Sequence, residues 1–375
     1  MKWLFWGSVA FVGYTYLGYP TWLWVRSRWH PRPVRRGFYS RPISIVMVVR
    51  NEAAVLEGKL RNLMHLNYAG NRPEIIVVSD GSTDRTNDIL AKFAPVSGIQ
   101  AILNAHPRGK AAGLNDAISA ARGDLVVFMD ARQEIESDAV RLLTENFADP
   151  TIGCASGALM LGNLRTEADA AGIGWYWRIE KQIRESEALS GSMIGATGAL
   201  YAVRRSLLVP LPEETILDDV LIPMHALRQG TRAIFDSRAR VWDVPDQGTK
   251  REFARKVRTL SGNYQLLQLA PWLLTGANPV RFQFVSHKLL RLLVPFALGP
   301  LLIASFLTPG PLYRISLVMQ VFFYSLGIWR LFGPVPSPIA RGADVAHTFI
   351  LLNTAAIVAF ANFVTGRGIA WARDV

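Results

Sequence analysis

Three hydrophobic patterns divide the chain. Residues 3–25 (WLFWGSVAFVGYTYLGYPTWLWV) form an uncharged apolar run, long enough to cross a bilayer as a helix. Between residues 42 and 262, short β-branched runs alternate with segments of helical period. The runs 43–49, 74–79, 99–103 and 124–129 predict strands, with helices over 53–66, 84–94 and 109–121 between them. This order predicts a mostly parallel sheet with helices on both faces, taking its ligands at the carboxyl ends of its strands. From Leu289 the chain is apolar again. Residues 292–313, 315–329 and 345–366 lack acids, lysines and arginines, and Arg291, Arg314, Arg330, Arg341 and Arg367 bracket them. Three membrane segments are therefore expected. Pro295, Gly299 and Pro300 interrupt the first, so 290–307 is expected to enter and leave on one face, with only 315–332 and 345–364 crossing and the tail cytoplasmic. Just ahead, 264–274 (YQLLQLAPWLL) predicts a helix lying in the membrane interface. The expected organisation is an N-terminal anchor (1–26), a basic linker (27–41), an α/β domain (42–262), interfacial helices (263–288) and a C-terminal membrane region (289–375).

Composition narrows the classes. The chain has 375 residues, is 50% hydrophobic and carries a formal net charge of +12, which excludes intrinsic disorder and points to phosphate-bearing partners. A single cysteine, Cys154, excludes a disulfide framework and a cysteine-rich zinc site. The basic residues concentrate beside the apolar runs. Arg26, Arg28, Arg32, Arg35, Arg36 and Arg41 follow the first run with no acid among them. Nucleic acid is the competing partner, but a position directly beside a span favours lipid headgroups. Bulky Trp22 and Trp24 at the end of the run favour an uncleaved anchor over a signal peptide. The positive-inside rule then makes this an integral plasma (inner) membrane protein with its α/β domain in the cytoplasm. The absence of internal repeats weighs against a transporter of duplicated halves.

Acidic residues gather at the strand ends. Strand one ends in Arg50-Asn51-Glu52, strand two in Ser79-Asp80-Gly81-Ser82-Thr83-Asp84, and strand four in Asp130-Ala131-Arg132. Any one of these loops alone reads as a turn with a helix cap. Three on one sheet edge point to a site. Trp175, Tyr176 and Trp177, ahead of Gly195-Ala196-Thr197-Gly198, suit an acceptor pocket (Trp175, Trp177, Gly198), with helix packing as the alternative for each aromatic.

The chain resembles the membrane-anchored family 2 glycosyltransferases of the GT-A (Rossmann-like) fold. The stretches that carry the resemblance are ISIVMVVRNE (43–52), EIIVVSDGSTD (74–84), HPRGKAAGLNDAI (106–118), DLVVFMDAR (124–132), GATGALYAVRRSL (195–207), LDDVLIPMHALRQG (217–230) and RKVRTLSGN (255–263). They run in family order over essentially the whole α/β domain. The resemblance implies an inverting hexosyl- or N-acetylhexosaminyl-transferase of cell-envelope polysaccharide synthesis. It would use a nucleotide-diphosphate sugar, a lipid-linked or polysaccharide acceptor, and membrane lipids, and no nucleic acid. Donor binding would fall to Asn51, Glu52, Asp80, Arg108, Lys110, Asp130, Arg132, Arg255 and Arg258. Asp130 would also meet a divalent cation, Mg2+ or Mn2+, bridging the phosphates. Of the Asp218-Asp219 pair, Asp219 matches the catalytic base. Two departures matter. Arg132 stands where a second carboxylate is usual, which loosens any cation. Arg255-Lys256-Val257-Arg258-Thr259 lacks the aromatic that seats an acceptor sugar in processive synthases, so single transfer is favoured over processive synthesis. A nucleotide-sugar-binding scaffold that has lost catalysis is the rival from another class, with Arg132 as its support.

Overall fold

The computed structural model describes residues 1–68, 72–162, 173–244, 249–333 and 335–367, the side chains of 96–97, 173–177 and 249 excepted. Among the described residues, eight strands form one sheet: β1 (Ile43–Val49), β2 (Glu74–Asp80), β3 (Ile99–Asn104), β4 (Leu125–Met129), β5 (Glu134–Ile135), β6 (Ile152–Leu161), β7 (Leu200–Arg204) and β8 (Arg232–Asp243), in the order β3-β2-β1-β4-β7-β6-β8-β5. The first four are parallel, as the alternating pattern predicts. Every residue of β1 is buried, the mark of a strand covered on both faces. Beyond β4 the sheet turns mixed: β7 runs antiparallel to both β4 and β6. The sequence pattern does not reveal β6, because its small residues (IGCASGALML) neither alternate nor form a β-branched run.

Helices Ala53–Met64, Thr86–Ser97 and Lys110–Ala120 make the parallel crossovers. The last lies so close to the sheet that a Cβ on Gly113 would fall 2.7 Å from Val48. Strand order reverses between β1 and β4, so a crevice opens at their carboxyl ends, where Asn51 and Asp130 stand.

The second half departs from expectation in three places. Helix Thr249–Leu269 is continuous and crosses the expected boundary at 262; 264–274 is its last turns followed by the 3-10 turn Pro271–Leu274. Tyr264 stacks on Phe363, 5.3 Å between centroids, tying this helix to Ser337–Val364. Among the described residues, three helices are long and apolar enough to cross a membrane: Arg281–Leu307, Pro311–Phe332 and Ser337–Val364. The first runs unbroken through Pro295 and Pro300, so 290–307 does not double back. The expected boundary at 288 also cuts it.

The N-terminal helix continues from Lys2 to Trp29 through the π-helical turn Tyr14–Gly18 and is not one of those three. Phe5 packs with Leu301, Ala304 and Tyr313, and Tyr14 Oη lies 2.8 Å from Ser286 Oγ. Arg26 and Arg28 stack over Trp22 and Trp24 at its end. The basic linker then docks on the α/β domain. Arg36 lies 3.7 Å from Asp236, and Arg41 3.6 Å from Asp124, so these two arginines find acids where lipid was expected.

Gly81, at φ +63°, closes the turn after β2, and a Cβ there would fall 2.5 Å from the Pro107 backbone nitrogen. Gly81→Ala is expected to cost about 1–3 kcal/mol, from strain at a positive φ and the collision with the 106–107 backbone. A lowered thermal midpoint checks this; an unchanged one would mean that the loop yields freely.

Candidate active site

The carboxyl edge of the sheet is laced together before any ligand arrives. Asn51, at φ +54°, accepts the Thr83 N–H at 2.8 Å, and its own N–H donates to Ser82 Oγ at 3.2 Å. The Glu52 N–H donates to Thr86 Oγ1, and the Ala53 N–H to Asp84 Oδ2. Burial raises the Glu52 carboxyl above its ordinary pKa, with Arg132 opposing. Asp80 is fully buried. Its two oxygens accept the N–H groups of Arg108 and Gly109 at 2.8 and 2.9 Å. It thereby holds the turn that launches helix Lys110–Ala120. Arg108 points outward and pairs with Asp116 at 2.5 Å.

Lys110, in the first turn of that helix, reaches inward. Its ammonium lies 3.1 Å from Asp130 Oδ1 and 3.3 Å from Asp218 Oδ1. Burial opposes its charge, but Asp130, Asp218 and Asp219 outweigh it and hold its pKa above the ordinary lysine value. Phe128 and Tyr201 stack across β4 and β7 at 4.6 Å, and the Tyr201 hydroxyl donates to Asp218 Oδ2 at 3.4 Å. Asp218 is thus held from two sides. Asp219 is different. Both acids open helix Asp218–Arg228, where the helix dipole favours negative charge. Among the described residues, however, the Asp219 carboxylate makes no hydrogen bond or ion pair. Burial and then Asp218 push its pKa up to about 6, against Lys110, Lys288 and Arg184. Its backbone carbonyl accepts the Ala196 N–H at 2.7 Å, which brings the Gly195–Gly198 turn beneath it. A Cβ on Gly198 would lie 3.4 Å from Asp219 Oδ2 and 3.8 Å from Asp130 Oδ2, so the two carboxylates flank that glycine.

A cleft of about 330 Å³ joins these groups. It is lined by Lys110, Asp130, Arg132, Gly198, Asp218, Asp219, Arg255 and Arg258, all expected from sequence. Asn51, Glu52, Asp80 and Arg108 support its rim without lining it. The Trp175 and Trp177 side chains lie outside the described ones; their backbone belongs to helix Ile173–Ser190. Sequence reading missed Arg184, Glu187, Asp243, His287 and Lys288, which also line the cleft. Glu180, Arg184 and Glu187 recur at one-face helical spacing, a signal that was available. Asp243 ends β8, and no local pattern ties it to Arg132, 2.6 Å away.

The donor set does not suit a cation held by the protein. Asp130 already faces Lys110, Arg132 replaces a second acid, and Asp243 is engaged by Arg132. Among the described residues, no three His, Cys, Asp or Glu side chains gather as metal ligands.

A doubly covered sheet whose switch-point cleft combines cations for phosphate with one unengaged, high-pKa carboxylate is built for group transfer from a phosphorylated donor. Residues 44–209 match the family model "Glycosyl transferase family 2", and this domain belongs to that family. Over 236 residues the chain is 26% identical to a poly-beta-1,6-N-acetyl-D-glucosamine synthase of Staphylococcus aureus (strain COL), covering 60% of this chain and 55% of that protein. The synthase of the same name from Staphylococcus epidermidis is 24% identical over 241 residues, covering 61% and 56%. The chain thus spans about half the length of these curated relatives. It shares its fold with the mannosyltransferase PcManGT from Pyrobaculum calidifontis, solved with GDP-Man and Mn2+. The TM-score is 0.73 at 21% identity, over 97% of this chain and 99% of that one. The fold is GT-A.

Lys110→Met is expected to leave Asp218 buried without its cation. The cost is about 2–4 kcal/mol, below the full value for a buried pair because Asp130 is partly exposed. A lower thermal midpoint at pH 7.5 checks it, and wild-type stability would show that the pair contributes nothing net.

Proposed function

We propose that the chain is an inverting glycosyltransferase. It moves a sugar from a nucleotide-diphosphate donor to a hydroxyl of a lipid-linked or polysaccharide acceptor, at the cytoplasmic face of the membrane. The single observation that carries this reading is Asp219: an unengaged carboxylate of raised pKa, across Gly198 from Asp130 and in one cleft with Lys110. In the proposed step the acceptor oxygen bonds to the anomeric carbon from the face opposite the diphosphate. Its proton passes to Asp219, and the bond from the anomeric carbon to the diphosphate oxygen breaks, giving inversion and a nucleoside diphosphate. Lys110, Arg132 and Arg258 are placed to meet the charge that develops on the leaving group. Asn51, Glu52 and Asp80 act from the rim, by fixing the loops that shape the donor's end.

The three long apolar helices and the N-terminal helix packed on them support membrane residence, and Arg26 and Arg28 support a cytoplasmic domain. Processive synthesis is the second reading, favoured by the names of the curated relatives. The cleft offers Thr259 where an aromatic platform would be needed, so single transfer is preferred. The unengaged Asp219 argues against a lapsed scaffold, since binding alone has no use for it.

Asp219→Asn is expected to lower transfer about 100- to 10,000-fold with nucleotide affinity nearly intact. In the wild type, kcat/KM is expected to fall as the pH drops below about 6, because the base must be unprotonated and its pKa is raised. Near-normal turnover in Asp219→Asn would remove the role from this residue.

Transfer is also expected to keep most of its rate in excess EDTA, because lysine and arginine occupy the places where a cation would be held. Loss in EDTA that Mn2+ restores would put a cation between Asp130 and the diphosphate.

A further inference from the structure

The cleft has a second charged end, remote from Lys110. Helix Ile173–Ser190 presents Glu180, Arg184 and Glu187 there, and helix Arg281–Leu307 brings His287, Lys288 and Arg291 against them. Glu187 accepts from the Tyr19 hydroxyl and from His287 Nδ1, both at 2.7 Å. Glu180 receives His287 Nε2 at 3.2 Å and Arg291 at 3.0 Å. Burial works to raise the Glu180 carboxyl, but His287, Arg291 and Arg184 outweigh it and hold it well below the carboxylate range. Both imidazole nitrogens face carboxylates. Glu180 thus meets His287, Arg291 and, at 3.6 Å, Arg184 Nε.

Two cations of this end line the cleft. Arg184 gives one hydrogen bond to Thr197 Oγ1 at 2.6 Å and keeps other donors. Lys288 is half-buried and lines the cleft. Among the described residues it makes no hydrogen bond or ion pair. Its ammonium is open to a ligand that enters the cleft. Both cations are close enough to Asp219 to act on its charge. The end of the cleft beside the unengaged carboxylate, where the acceptor must stand, is therefore shaped for an anion.

We propose that Arg184 and Lys288 bind a phosphate group of the acceptor, and that the acceptor is a membrane lipid carrying a hydroxyl close to that phosphate. The inference rests on the transferase reading and deepens it. A base beside the acceptor calls for a hydroxyl, because a phosphate oxygen would attack without one. The source is a lipid because Lys288 stands on a helix long and apolar enough to cross a membrane. Leu298, ten residues and about 15 Å farther along that helix, joins Phe5, Val9, Met319 and Phe323 around an apolar cavity of about 520 Å³, room for part of a lipid chain. The phosphate is not consumed: the hydroxyl loses its proton to Asp219 and gains the sugar, and the nucleoside diphosphate leaves.

The test uses the full chain in phosphatidylcholine vesicles with a panel of labelled nucleotide sugars. The vesicles are doped with phosphatidylinositol, with phosphatidylglycerol, or with an N-acetylglucosaminyl prenyl diphosphate; a fourth set holds a phosphate-free glycosyl diacylglycerol, and a fifth assay offers a soluble β-linked N-acetylglucosamine oligomer. Labelled product on one of the three phosphate-bearing lipids is expected, and the arm that works separates headgroup from prenyl-linked source. Lys288→Gln is expected to raise KM for that lipid about 10- to 100-fold, the weight of a charged hydrogen bond, with a much smaller change in KM for the nucleotide sugar. Lys288→Arg should restore most of it. Product only on the phosphate-free acceptors would overturn the proposal and leave the transferase reading standing. So would a Lys288→Gln enzyme whose acid limb moves while its lipid KM does not, since Lys288 would then only tune Asp219. Failure to consume any nucleotide sugar in any arm would instead strike the transferase reading itself.

Discussion

The Lys110 ammonium between Asp130 and Asp218 is the contact on which the cleft depends. It joins three elements far apart in sequence: the helix after β3, the end of β4 and the helix before β8. Two acids this close in a low-dielectric crevice would repel each other. The lysine converts that repulsion into a clamp and leaves a division of labour. Asp218 is held by Lys110 and Tyr201, while its neighbour Asp219 stays unengaged. One residue of difference in a helix's first turn decides which carboxylate can take a proton, because only one side chain of the pair meets the clamp.

A second buried network ties this chemistry to the apolar helices. Tyr19, Glu187, His287, Glu180 and Arg291 join the N-terminal helix, helix Ile173–Ser190 and the first long apolar helix through hydrogen bonds of 2.7–3.4 Å. Breaking such a network strands a buried charge, so the parts are held in one arrangement. The cleft is for that reason walled by the α/β domain on one side and by a helix able to cross a membrane on the other. The proposed transfer to a membrane lipid would use that geometry: water-soluble donor from one side, lipid headgroup from the other.

Much of this was legible in the chain. The first four strands and their crossovers follow from β-branched runs at regular spacing, since period-2 and period-3.6 burial are local properties. The three C-terminal apolar helices follow from length and the placement of Arg314, Arg330 and Arg367 at or near helix ends, though their exact starts do not. Lys110, Asp130, Asp218 and Asp219 were legible as a set because they sit in short motifs. The roles of Asp80 and Arg108 were not, because a motif does not say whether a side chain faces the cleft or braces the loop beside it. Pro295 and Pro300 suggested a break that helix Arg281–Leu307 does not make; a proline's missing donor is tolerated where neighbouring helices pack against it.

The sequence alone determined the class of sheet, the apolar C-terminal region and the acids on the sheet's carboxyl edge, because each is written within a few neighbouring residues. Only the tertiary structure decided which of those acids is free, that Arg132 pairs with Asp243, and that Arg184 and Lys288 complete the cleft from helices more than a hundred residues apart. The reason is physical. A charge acts through distance and burial, and both are set by packing between elements that the chain order keeps apart.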